Sequence, residues 1–474
     1  MATTYLKRLP VSNGSNTTGT LSAWLKRGDG LNAAAQSCAI GGQEGTDGNN
    51  RIFFGFWGDS TLALQIVNGG TAYEQSSAAV FKDPDAWYHI VARLDTSNGV
   101  AQDRIQLFVN GDKITTYTTN DTFPSSVDIK LFENTTSCET LVGARKSSSS
   151  YNNISGGSMS HVHVIDGTAY DASTFGETDA TSGIWKIKTS PTVTYGTNGF
   201  FLKFEDRTNL DLDSGTNTFT DFVTAGTLTA NYDSPSNNFS TWSPLYMPAT
   251  GVDPVFSNGN TTVISQDGSG DYWGASSTLG MVAGKWYAEF KAVTASNKPS
   301  FGICLAPVQH QYNENYLGEQ LYDYAYISDG GTYNDNSETA AWGDTFTTGD
   351  IVMVAVDLDN LKIYFGKNGT WQDSGDPTSG ATGTGAAYTI TSIAASTVGI
   401  PVSDMVECGG SYHFACSDQS TGPDTMAANF GNGYFQTTAV TSANADDAGI
   451  GAMEYDVPAG YYCLCTKNIK AYGG

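Results

Sequence analysis

Histidine is scarce in this chain, with five in 474 residues, so imidazole-based acid–base chemistry has few candidates. No Gly-x-Ser-x-Gly elbow, His-Glu-x-x-His motif or phosphate-cradling glycine loop occurs. Basic residues are also few: 23 against 48 acidic ones give a formal net charge of −25. A surface this acidic repels phosphate backbones, and no basic patch interrupts it, so no nucleic-acid partner is expected. No apolar run approaches the ~20 residues a membrane-spanning helix needs, and none is expected to insert. The opening MATTYLKRLP lacks a hydrophobic signal core, which leads us to expect a soluble, unprocessed product of a reducing cytoplasm. The seven cysteines (Cys38, Cys138, Cys304, Cys408, Cys416, Cys463, Cys465) never fall in C-x-x-C spacing. They are expected to be buried thiols, with Cys463 and Cys465 sharing a strand face.

What the chain does have is glycine (54 residues) and much Ser, Thr and Asn, a composition of short strands and turns. Apolar residues at 39%, with 12% aromatic, suffice for packed cores. The organising stretch is WYHIVARLDTSNGVAQDRIQLFVNGDKI, residues 87–114. Its second apolar run alternates: Ile105, Leu107 and Val109 point one way, Gln106, Phe108 and Asn110 the other, as in a strand with one buried face. Asn110-Gly111 supplies the positive φ of a tight reversal. A second version, IVMVAVDLDNLKIYFGKNGTW, occupies residues 351–371 and ends on Asn368-Gly369. Two such hairpins, so far apart, predict an all-β chain of two antiparallel β-sandwich (jelly-roll) domains joined by a partly structured linker.

Strands are predicted over 4–9, 19–25, 51–57, 62–67, 141–143 and 158–165, with Trp24 a core anchor and residues 43–50 a loop. His161 and His163 share a face without a third ligand nearby and are taken as a structural pair, so no metal is assigned. The combination TYLKR…TLSAWLKR, DPDAWYHIVARLDT…RIQLFVNG and HVHVIDGTAYDASTFGE resembles the laminin-G/concanavalin-A-like domains of marine bacteriophage and cyanophage structural proteins. The stretches GIWKIK, YGTNGFFLKFED and DSPSNNFSTWSPL resemble the connecting region of the same proteins, so the likeness covers residues 1–245. It implies a two-sheet jelly roll. Domains are placed at 1–175 and 251–474, with 176–250 connecting them. Asp211-Leu-Asp213-Ser-Gly215 starts like a calcium loop but lacks the spacing and the closing Glu, and reads as a surface turn. In the second domain GKWYAEF, FGICLA, the 351–371 hairpin and AANFGNGYF resemble a SPRY domain over 255–440, interrupted by inserts at 309–341 and 375–387. Further strands are predicted at 284–290, 300–305, 388–392, 399–402, 411–416 and 427–430, and PAGYYCLCTKNI (458–469) is expected to close the sheet.

Because concanavalin-like folds include glucanases, paired carboxylates deserve a test. The nearest stretch, Glu177-Thr178-Asp179, reads as a turn without a third carboxylate, so no catalytic residue is assigned and no enzyme is expected. Binding is the natural use of such sandwiches, and sugar recognition needs flat aromatics beside amides and carboxylates. Two groups offer that mixture: Trp57, Asp59, Asn68 and Tyr73 in the first domain, and Tyr333, Asn334, Asp335 and Trp342 in the second. Tyr322, Tyr324 and Tyr326, at strand spacing, are expected to form one packed face. No cofactor is assigned. Residues 47–50 are rich in Asp and Asn but carry no specific calcium motif. The phage resemblance implies a virion tail-fibre or spike component that recognises a host-surface glycan or receptor, contacts other virion proteins and forms a homo-oligomer, a trimer by analogy. Its alternatives are a capsid decoration or tail-assembly protein and, more remotely, a polysaccharide hydrolase.

Overall fold

Period-two alternation decides which face of each strand is buried, and in the first half of the chain it builds two sheets around one core. The computed structural model describes residues 4–28, 36–133, 138–215, 217, 222–245, 254–265, 274–305, 316–391, 410–419 and 422–473. The first compact unit is Met1–Ala230 with Ser234–Ser236, the second Asn231–Asp233 with Asn237–Gly474.

In the first unit an eight-stranded sheet runs in the order Tyr117–Asn120, Thr71–Val80, Thr61–Asn68, Asn50–Phe56, Ser37–Glu44, Glu139–Val142, Tyr5–Arg8, Val223–Ala225. A six-stranded sheet runs Phe200–Leu202, Ser158–Asp166, Thr18–Lys26, Trp87–Asp95, Ile105–Val109, Asp112–Lys113. Leu21, Ile90, Ile105 and Leu107 from the second meet Ile40, Ile52, Phe54 and Leu64 from the first in a single core, each essentially inaccessible. Burial of each such side chain is worth about 1.5–3 kcal/mol before entropy is counted. Asn110 (φ 49°) and Gly111 (φ 87°) both adopt the left-handed conformation that the hairpin turn requires.

The outer face of the six-stranded sheet is also covered, which the alternation alone did not foretell. Val91, Phe108, Ile165, Phe175, Tyr195 and Phe201 form a second layer there. The small hairpin of Gly176–Thr178 and Trp185–Ile187 lies against it, with the Trp185 ring where a Cβ on Gly111 would come within 2.4 Å. Trp24 is buried, but by stacking on His89 (centroids 4.8 Å apart), not in the inter-sheet core. The expected connecting region from 176 therefore differs from the compact unit, which reaches Ala230 because Phe200–Leu202 and Val223–Ala225 are edge strands of its two sheets. Glu177 and Thr178 lie in a short strand, where a turn was expected. Asp213, expected on a surface turn, is instead buried in a bridge to Leu202, its Oδ1 accepting from the backbone N–H groups of Phe201 and Gly215.

The second unit repeats the plan. One sheet orders Val255–Ser257, Thr262–Ile264, Thr425–Asn429, Lys285–Ala292, Ile351–Asp357, Lys362–Lys367 and Thr370–Trp371, the other Gly274–Ser276, Tyr412–Ser417, Ser300–Leu305, Tyr324–Ile327, Thr332–Asn334 and Ser337–Thr339. Trp242, Trp286, Phe290, Phe301 and Phe414 fill the core between them, with Tyr322, Tyr324 and Tyr326 on the packed face their spacing predicts. Tyr287 and Glu289, on the other side of their strand, are buried as well, under Met453, Tyr461 and Cys463. The tail closes the sheet only briefly: Tyr462–Cys463 pairs in parallel with Lys285–Ala292, and Cys465 then caps a helix, Thr466–Tyr472, where a strand was expected. All six described cysteines are buried and none forms a disulfide with another; Cys408 and the strand expected at 399–402 lie outside the described residues.

Candidate carbohydrate-binding face

Residues that pair across an antiparallel sheet point to the same side. In the eight-stranded sheet Gly41, Phe53, Gln65 and Glu74 form one such row, and Gln43, Arg51 and Val67 the next. Their neighbours Ile52, Phe54, Leu64 and Ile66 face the core, so these two rows face outward.

Trp57 leaves the end of the Asn50–Phe56 strand and folds back over this face. Its ring lies parallel on Phe53, centroids 4.0 Å apart and planes at 3°. Its indole N–H donates to Glu74 Oε1 at 3.0 Å. Glu74 is itself fixed: Gln65 Nε2 donates to its Oε2 at 2.8 Å, the Ser76 hydroxyl donates to Oε1, and its backbone N–H donates to Asp121 Oδ2. One face of the indole is thus occupied by Phe53 and its polar edge by a carboxylate, while the side chain stays only half-buried. What it presents outward is a rigid aromatic surface bordered by an amide and a carboxylate. An indole locked in this way loses little side-chain entropy on binding.

A hairpin of Arg145–Ser147 and Ser150–Asn152 lies on the same face. The Arg145 Cα sits directly over Gly41, 3.2 Å from where a Cβ would stand, so only glycine admits this approach. The Gln43 amide donates to the carbonyls of Ser148 (2.9 Å) and Gly45 (2.8 Å). On the far flank Tyr151 stacks on Tyr5 at 4.7 Å, and Lys7 and Lys146 both pair with Glu139, at 3.3 and 2.7 Å.

Of the four candidates expected in this unit, only Trp57 stands on the outer face. Asp59 caps the following turn, its carboxylate accepting from the Thr61 N–H (3.0 Å) and hydroxyl (2.7 Å), which lower its pKa against slight burial. Asn68 ends the Thr61–Asn68 strand opposite Thr71, a full strand length from Asp59. Tyr73 points inward against Phe123, with centroids 6.0 Å apart. Sequence reasoning missed Phe53, Gln65 and Glu74, which hold the Trp57 platform. Counting every second position outward from the core residues would have found them.

In the second unit the candidates are mostly engaged in holding their own loops. The Tyr333 hydroxyl donates to Glu338 at 2.8 Å. The Asn334 amide donates to the carbonyls of Leu321 and Asp323, both at 2.9 Å. Asp335 takes a left-handed turn position (φ 51°), and Trp342 packs edge-on against Tyr326 and Phe365. Among the described residues no group of His, Cys, Asp and Glu is arranged to hold a metal ion. His163 is buried against Phe201 and Tyr195, and His161 sits at a bulge (φ 48°) beside the same Phe201.

Residues 2–172 match the family described as the concanavalin A-like lectin/glucanases superfamily, and residues 285–400 match the SPRY domain family. No curated protein matches the chain. Similar solved structures include the SPRY domain of human HERC1, at 18% identity over 40% of this chain and 96% of that one, TM-score 0.28. The CBM40 of the Ruminococcus gnavus IT-sialidase follows at 16% identity, 35% and 94% coverage and TM-score 0.27. A heptameric SAP-like pentraxin from Limulus polyphemus gives 13% identity, 42% and 88% coverage and TM-score 0.28. The chain thus joins an N-terminal concanavalin A-like domain of the laminin-G type to a C-terminal SPRY domain.

Proposed function

We propose that this chain is a non-enzymatic recognition protein that binds carbohydrate on the outer face of its N-terminal eight-stranded sheet, with Trp57 as the stacking platform. The observation that carries the reading is the indole clamped between Phe53 and Glu74, with its remaining surface turned outward. Aromatic faces of this kind take the apolar face of a sugar ring, and neighbouring amides and carboxylates take its hydroxyls. The one carboxylate pair considered for hydrolysis speaks against catalysis. Glu177 and Asp179 share Lys186 (3.4 and 3.2 Å), and Asp179 is held strongly ionised by N–H groups of Ser182 and Thr181 and by Lys186, the opposite of a proton donor. Together with the motifs resembling marine phage structural proteins, this supports a tail-fibre or spike component of a virion. There it would touch host-surface glycans, assemble with other virion proteins and oligomerise, as a trimer by analogy.

The test is a glycan array and host-cell binding with the assembled protein and its Trp57→Ala variant. Binding by the parent and loss in the variant are expected. A folded parent that binds no glycan, yet is found in the particle between capsid or tail subunits, would replace the reading by a purely structural one.

A further inference from the structure

Two arginines on this face have no anionic partner among the described residues, in a chain where carboxylates outnumber cations 48 to 23. Arg51 lies on the Asn50–Phe56 strand two residues before Phe53, on the same outward side, about 7 Å away at ~3.4 Å per residue. It donates from Nη1 to the Gly48 carbonyl, while its Nε is buried and unpartnered. Arg145 opens the hairpin laid over Gly41, the register partner of Phe53. Its guanidinium makes no hydrogen bond or ion pair among the described residues, and its Nε too is buried and bare.

The contrast with the flank of the same face is sharp, since there Lys7 and Lys146 both reach Glu139. Burial lowers the pKa of both guanidiniums, and the charge of Arg51 lowers that of Arg145 further, so the two stand within each other's field. Beside them Gln43 Oε1 and Asn152 Oδ1 are buried acceptors without donors among the described residues, Asn152 being the register partner of Arg145. Like charges held together without a counter-charge are unfavourable unless something anionic joins them. Guanidinium forks suit carboxylate and sulfate oxygens, and bare amide oxygens suit hydroxyl donors.

We infer that Arg51 and Arg145 form a subsite for the acidic group of the bound glycan, a carboxylate or a sulfate ester, next to the sugar ring stacked on Trp57. The ligand class is therefore an acidic polysaccharide. This rests on the carbohydrate reading above and narrows it. It also gives an acidic protein a local means of attracting an acidic ligand.

The test uses the full chain on an array of uronate-containing and sulfated oligosaccharides, each printed beside its carboxyl-reduced or desulfated counterpart, with inorganic sulfate as competitor. Acidic members are expected to bind about tenfold or more tighter than their neutral counterparts, the gain from one charge-assisted guanidinium contact. Arg145→Gln and Arg51→Gln should each erase that preference and leave neutral binding in place. Trp57→Ala should abolish both, and Arg145→Lys should restore part of the preference. Unchanged thermal unfolding of the arginine variants excludes misfolding as the cause. Equal binding of acidic and neutral partners, or a preference that survives both glutamine variants, overturns the subsite while the carbohydrate reading stands. Sulfate binding without any glycan binding overturns both.

Discussion

Acid should destabilise the N-terminal unit through His89, and the effect can be worked out from its surroundings. His89 is fully buried. Trp185 Nε1, which can only donate, gives its proton to His89 Nδ1 at 3.0 Å, so the imidazole proton sits on Nε2 and points at Ser22 Oγ, 2.9 Å away. Protonating Nδ1 would break the indole bond and place a cation between two tryptophans. Burial accordingly lowers the His89 pKa to about 3, from 6.5 in an exposed chain. With the folded value below the unfolded one, the unfolded state binds the proton first as pH falls. The stabilisation is fully present above pH 6.5 and is lost progressively toward pH 3. The slope is about 1.4 kcal/mol per pH unit, or roughly 3 kcal/mol between pH 6.5 and 4. His89→Gln offers one acceptor to Trp185 and one donor to Ser22 without titrating. Urea unfolding followed by tryptophan fluorescence at pH 7, 6, 5 and 4 should show the variant losing about 3 kcal/mol less than the parent over that interval. A difference between parent and variant that stays constant with pH would refute the reasoning. Burial lowers His163 in the same way, and His161 to about 4, so part of the acid sensitivity persists in the variant.

Glu74→Ala should weaken glycan binding about tenfold, read by titration calorimetry, because Trp57 loses the acceptor that fixes its edge, while its half-exposed ring limits the cost in stability to about 1 kcal/mol. Glu289 in the C-terminal unit accepts from the Tyr287 hydroxyl, Asn429 Nδ2 and the N–H groups of Glu454 and Tyr455, so Glu289→Gln opposes donors to donors and should cost about 2–4 kcal/mol in chemical denaturation. Burial raises the Glu289 pKa to about 7 despite those donors. The folded state then holds the proton longer, and its contribution to stability falls as pH rises from 4.5 to 7, a slope the glutamine variant should lack. Gly111→Ala combines a left-handed φ of 87° with a Cβ driven into the Trp185 ring and should lower the stability of the N-terminal unit by about 2 kcal/mol or more, measured by thermal unfolding.

The strand pairs and their core faces were legible because alternation is local: Ile105, Leu107 and Val109 had to lie on one side, and the Asn110-Gly111 turn had to reverse the chain. The second layers were not, since Phe108 and Glu289 are buried by segments distant in sequence, Trp185–Ile187 and the tail around Tyr461. The same limit applied to the site. Trp57, Asp59, Asn68 and Tyr73 were grouped by nearness along the chain, but strand parity puts Tyr73 in the core and separates Asp59 from Asn68 by the length of a strand. The partners that position Trp57, namely Glu74 and Gln65, come from neighbouring strands and are defined by register alone. Arg145 reaches the face only because Gly41 has no side chain in the way.

The most direct measurement follows the indole N–H resonances of the nine tryptophans in an isotope-labelled chain while a glycan that binds is added. The Trp57 signal should shift with increasing ligand, and the buried Trp24, Trp242 and Trp286 should stay in place. Glycan binding that leaves Trp57 unmoved and shifts Trp342 of the SPRY domain instead would contradict the account.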